Sequence, residues 1–106
     1  MAGGELTEAQ RWFEVQSAGA PAPLRERAAH YLAGHSQPGK LAERLAGAAA
    51  DALNTVLAHP GDRSVALDLL AADALVTLAL KARACDDPAG LARFAARLRL
   101  TRESAR

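Results

Sequence analysis

From Leu6 onward, apolar residues recur every three or four positions in stretches separated by Gly and Pro, the spacing of helix faces rather than strands. Leu6, Ala9 and Phe13 share one side of the first stretch. Thr7, with Gln10 three residues on, opens it in a capping-box pattern, and Gly19-Ala20-Pro21 closes it after about Ser17. Pro23 suits the first turn of a second helix, with Leu24, Ala28 and Tyr31 on one face as far as Gly34. His35-Ser36-Gln37-Pro38-Gly39 then reads as a loop. From about 40 to 59, Leu41, Leu45, Ala48, Ala49, Ala52 and Val56 keep the clearest one-sided helical period in the chain. Pro60-Gly61-Asp62 breaks it, and Asp62 or Ser64 can cap the next helix. After the fourth stretch, Asp87 reads as an N-cap with Pro88 at the first position of a last helix. That helix turns Leu91, Phe94 and Leu98 inward and is expected to fray after Thr101.

The fourth stretch, about 64–85, is apolar on two sides. Val65, Leu69, Val76 and Leu80 form one stripe, while Leu67, Ala71, Ala74 and Leu78 form another, with Leu75 beside it. Such a helix needs contact on both sides, so it is either the centre of a bundle or a face offered to a second chain. The short breaks favour antiparallel neighbours. The expected fold is therefore all-α: a compact up-and-down bundle of four to five helices, built on a central helical hairpin (about 40–59 and 64–85). One domain fills residues 1–106, with 1–5 and 103–106 frayed. Composition agrees, because Ala and Leu dominate the apolar half and aromatics are only 4%, which suits closely approaching helices.

Two acids interrupt the apolar pattern of the fourth helix. Asp68 lies next to Leu75 and Ala79, and Asp73 beside Leu69, Val76 and Leu80. Both are read as buried polar groups, since acids in such surroundings are normally paired. Arg25, Arg27, Arg44 and Tyr31 can each supply a partner for Asp68, or a second subunit can. The hairpin also repeats itself: Ala49-Ala50-Asp51-Ala52-Leu53 and Ala71-Ala72-Asp73-Ala74-Leu75 match, and Thr55 matches Thr77. Antiparallel packing would bring Asp51 and Asp73 to one level, where two carboxylates can bind a cation or share a proton. Their angular positions oppose this, because Asp51 sits on the flank of Arg44 and Gly47.

Charge and reactive residues narrow the picture further. The net charge is +1, which gives no general field for a polyanion or a membrane surface. It is unevenly spread: residues 1–80 carry six basic and nine acidic side chains, and residues 81–106 carry seven and three. Arg93, Arg97, Arg99, Arg102 and Arg106 make the C-terminal helix the basic end, but they point in several directions and follow no recognition-helix turn, so nucleic acid is not the expected partner. Cys85, the single cysteine, excludes an intrachain disulfide, and Asp86 and Asp87 oppose any activation by Lys81 and Arg83. His30, His35 and His59 share no metal-ligand spacing. No glycine-rich phosphate loop or nucleophile elbow occurs. Catalytic residues, cofactor and metal are all expected to be none.

MAGGELTEAQ has neither a basic nor an apolar leader region, Ala2 stands where acylation needs glycine, and Asp68, Asp73 and Lys81 interrupt the best apolar run. The expectation is a cytoplasmic chain with no membrane association. Function is read as a non-enzymatic protein–protein interaction or oligomerisation module, with a homodimer or another protein partner held at Leu67, Ala71, Ala74, Leu75 and Leu78. Trp12, beside Phe13 and Val15, either covers the bundle end or anchors a partner. Two alternatives stand beside this reading: a bundle binding a small molecule or metal through Asp73, and a nucleic-acid accessory protein using the basic C-terminal helix.

Overall fold

The interruptions in the apolar pattern become helix ends. The computed structural model describes residues 8–35, 39–86 and 88–104. Among them are five helices: α1 (Glu8–Gln16), α2 (Ala22–Ala33), α3 (Leu41–Leu57), α4 (Ala66–Asp86) and α5 (Leu91–Ser104). Single 3₁₀ turns, Arg63–Val65 and Pro88–Gly90, lead into α4 and α5. The all-α bundle expected from the pattern is the observed fold.

Local chemistry accounts for the boundaries. Pro23 lies in the first turn of α2, where its missing N–H costs nothing, and Gly34 closes that helix. Between α3 and α4 the chain reverses at Gly61, whose φ of 78° is a conformation other side chains resist. The Asp62 carboxylate then accepts a hydrogen bond from the Ser64 backbone N–H at 2.9 Å, capping the turn into α4. Hydrogen bonds from Ser64 hold the Asp62 carboxyl below its usual range. Leu6, the Thr7 half of the capping box and the Asp87 cap lie outside the described residues. The last helix continues to Ser104, past the expected fraying point at Thr101.

The hairpin of α3 and α4 is the centre of the molecule. Helix α2 lies across both of its arms, α1 packs on α2, and α5 folds back against α4 and α3. Lys81 of α4 also donates a hydrogen bond to Gln16 of α1. The result is compact, with a radius of gyration of 13.6 Å, near the ~13 Å of a chain of about 100 residues. Phe13, Leu32, Leu45, Leu75 and Phe94 supply the bulk of the core, and alanines fill the rest. Ala48, Ala49 and Ala52 on α3 and Ala71, Ala72 and Ala79 on α4 are all buried, so small side chains line the hairpin.

The two stripes of α4 are not opposite faces. They are the flanks of one broad apolar arc, whose centre holds Asp68, Ala72, Leu75 and Ala79, all buried. Ala71 and Leu75 are fully buried inside this chain, and Leu78 packs against its core. The face expected to meet a second chain is thus largely occupied from within. Leu67 and Ala74 are half-buried at its edge. On the other flank Leu69 stays 51% exposed, and Leu70 nearby stays 54% exposed. Among the described residues, no helix is long and apolar enough to cross a membrane.

Candidate functional site

The open flank of α4 belongs to a groove. Ala46, Ala50 and Leu53 of α3 form one wall, Leu69, Ala72, Val76 and Leu80 of α4 the floor and second wall, and Ala95 and Leu98 of α5 close one end. Its volume is about 550 Å³, and it is open to solvent. Both walls follow from helical spacing: Ala46, Ala50 and Leu53 recur at four and three residues, as do Leu69, Val76 and Leu80 at seven and four. Polar groups are few, namely Asn54, Asp73 and Arg99.

Asp73 is therefore exposed at the groove and not buried as the sequence pattern suggested. On the helical wheel it lies where the Val76 and Leu80 flank meets the polar strip of Thr77 and Lys81, so its carboxylate reaches water without crossing the core. The Thr77 hydroxyl donates to the Asp73 backbone carbonyl at 2.9 Å, not to its carboxylate.

Asp68 has the opposite fate. Only 3% of it is exposed, at the centre of the arc that faces α2. Arg27 Nη1 and the Tyr31 hydroxyl, one helical turn apart on α2, both donate to Asp68 Oδ1 at 2.7 Å. Burial by itself would raise the Asp68 carboxyl, but the hydrogen bonds from Tyr31 and Arg27 outweigh it and hold the group below its usual range. Tyr31 is displaced upward, by burial first and then by its bond to the carboxylate, with the Thr55 hydroxyl opposing. Arg27 is held more firmly protonated by the same carboxylate. The cluster fastens α2 onto the hairpin through these two bonds to α4.

A second polar cluster joins α3, α4 and α5. Arg83 is buried beneath α5, its guanidinium 4.7 Å from the centre of the Phe94 ring. Glu43 Oε2 lies 3.8 Å from both Arg83 Nη2 and Arg97 Nη2, and the Arg97 guanidinium lies 5.9 Å from the centre of the same Phe94 ring. Among the described residues, buried Arg83 Nε has no hydrogen-bond partner. Sequence spacing gave no sign of a buried arginine here, because Arg83 reads as part of a polar helix end.

His35 directly follows the Gly34 cap of α2. Its Nε2 lies 2.6 Å from Asp51 Oδ2, and its backbone carbonyl accepts from Arg44 Nε at 2.7 Å. Gly47 makes room for the ring: a Cβ there would stand 2.6 Å from His35 Nδ1. A glycine inside α3, flanked by Arg44 and Asp51, was the signal for this contact. Asp51 thus faces His35 and does not line the groove with Asp73, so the structure does not bring the two repeat carboxylates together. Among the described residues, no three His, Cys, Asp or Glu side chains are grouped to hold a metal ion.

The remaining candidates are scattered. His59 Nδ1 contacts the Thr55 carbonyl at 2.9 Å, His30 meets the edge of Tyr31, and Cys85 is exposed. Arg93 is exposed, Arg97 is engaged by Glu43, and Arg99 lines the groove. Trp12 packs partly buried against the core, while Val15 nearby is 72% exposed. No protein-family description, curated protein or solved structure matches the chain.

Proposed function

We propose that this chain is a non-enzymatic, cytoplasmic interaction module that receives an apolar strip of another polypeptide in the groove between α3, α4 and α5. One observation carries the reading: Leu69 remains 51% exposed in a groove whose lining is otherwise mostly Ala, Leu and Val. Leaving large aliphatic side chains in water forgoes roughly 1.5–3 kcal/mol for each that would be fully buried, so a contact there has a driving force. The two walls run along helices, and a groove between helices suits the apolar face of a further helix.

A small apolar molecule oriented by Asp73 is the second reading, favoured by the groove's volume, which falls within the ~300–1,000 Å³ of ligand sites. Its openness favours the polypeptide, because a small molecule gains most when nearly enclosed. A photo-cross-linking amino acid at position 69, compared with one at the exposed position Glu26 on α2, separates them in cells expressing the chain. Protein adducts formed from position 69 and not from position 26 are expected. No protein adduct from position 69 would overturn the interaction reading. The small-molecule reading instead predicts a rise in melting temperature with ligand.

A further inference from the structure

We infer that the occupant of the groove is a second copy of this chain, seated across a two-fold axis with Asp73 of each copy against Arg99 of the other. The inference rests on the groove being a polypeptide contact surface and adds the identity of the partner.

The charges at the groove carry it. A two-fold contact sets a surface against itself, so a face with charges of one sign repels its copy. A face with one acid and one base set apart matches its copy, because the axis midway between them exchanges their positions. The groove has this composition: among the described residues that line it, Asp73 on α4 and Arg99 on α5 are the charged ones. Neither forms an ion pair among the described residues, although Arg83, Arg97, Glu43 and Asp68 elsewhere in the fold all do. Both Asp73 and Arg99 are exposed, so each charge can meet a partner without leaving a buried site.

The rest of the surface supports the same occupant. Leu69, Val76, Leu80 and Leu98 share the groove with the two charges and would meet the same apolar set on the other copy. The net charge of +1 puts no general repulsion between two copies. The described residues that line the groove number 14, against roughly 20–30 per side of a standard interface, so the dimer is expected to be reversible.

Sedimentation velocity over a dilution series tests this with the full chain and two charge reversals, Asp73→Arg and Arg99→Asp. The unaltered chain is expected to dimerise with Kd in the micromolar range, and each reversal alone to weaken dimerisation at least about tenfold through two like-charge contacts. An equimolar mixture of the two reversed chains restores one of the two pairs as Asp73 with Arg99 and the other with its charges exchanged, so it is expected to form a heterodimer with an affinity near that of the unaltered chain. Circular dichroism confirms that each reversal folds, as expected of exposed helical positions. A monomeric unaltered chain, or reversals that dimerise as well as it does, would overturn the inference. Cross-links from position 69 to a different protein, with the purified chain monomeric, would leave the groove reading standing and remove only the second copy.

Discussion

Asp68→Ala is expected to lower the unfolding free energy by about 3 kcal/mol, because it leaves the half-buried Tyr31 hydroxyl and Arg27 without their acceptor and opens a gap between α2 and α4. For a domain of about 100 residues this corresponds to a fall in melting temperature of roughly 10–20 °C. Asp68→Asn keeps an oxygen for the two donors and removes only the charge, so about half that loss is expected. The two variants separate shape from charge.

Their pH dependence follows from the direction of the Asp68 displacement. Burial opposes ionisation, the Tyr31 and Arg27 hydrogen bonds favour it more, and the folded carboxyl lies below its unfolded value of about 3.9. The stabilisation is therefore complete above the unfolded value and disappears as pH falls through the lower folded one. Urea unfolding at pH 6 is expected to show the unaltered chain well ahead of Asp68→Asn, with the gap closing as the pH drops toward 3. A gap that persists unchanged at pH 3 would mean that the Asp68 charge contributes nothing to holding α2.

Phe94→Ala carries the largest expected cost, about 3–5 kcal/mol for removing a buried aromatic ring. Phe94 is 3% exposed and is the residue by which α5 enters the core, with Leu91 and Leu98 only half-buried beside it. Its loss also removes the ring that faces Arg83, whose buried guanidinium also lies 3.8 Å from a Glu43 oxygen. The damage should be uneven. Hydrogen exchange is expected to show α5 losing protection first, while the hairpin of α3 and α4 keeps its own. Uniform loss over all helices would instead show α5 to be part of a single cooperative unit with the hairpin.

Much of the bundle was legible because helix ends depend on local chemistry. Pro23, Gly34, the Pro60-Gly61-Asp62 break and Pro88 act within a few residues of themselves, and periodic Leu and Ala mark the inner face of α3. What a helix packs against is not local. In α4 the alanines Ala72 and Ala79 hide the centre of the buried arc, since Ala is compatible with core and surface alike. The larger side chains on the flanks then read as two separate stripes. Leu69 and Leu78 look equivalent in the pattern, and only the positions of α2 and α5 decide that Leu78 meets the core while Leu69 stays open.

The polar residues divide along the same line. Asp68 was legible as a paired acid, with Arg27 and Tyr31 among its possible partners, because it interrupts the middle of an apolar run. Asp73 has an equally apolar neighbourhood in sequence, yet its wheel position borders Thr77 and Lys81, and it reaches solvent. The AADAL repeat shows how little composition fixes burial. Both copies have a Thr hydroxyl bonded to the Asp backbone carbonyl, at 3.2 Å for Thr55 and 2.9 Å for Thr77, but Leu53 is half-buried along the groove and Leu75 fully buried in the core. The groove itself needed three helices in place. Leu53, a large apolar side chain off the inner stripe of α3, was its main trace in the sequence.

Which flank of α4 is outside is tested most directly by thermal unfolding of Leu69→Glu and Leu78→Glu side by side, monitored by circular dichroism. Leu69 lies at the open groove, so Leu69→Glu is expected to keep its helical signal and melt within a few degrees of the unaltered chain. Leu78 packs against the core, so Leu78→Glu is expected to lose about 2 kcal/mol or more through a carboxylate at the edge of the core. The reverse order, with Leu78→Glu stable and Leu69→Glu unfolded, would contradict the assignment of the groove as the exposed face.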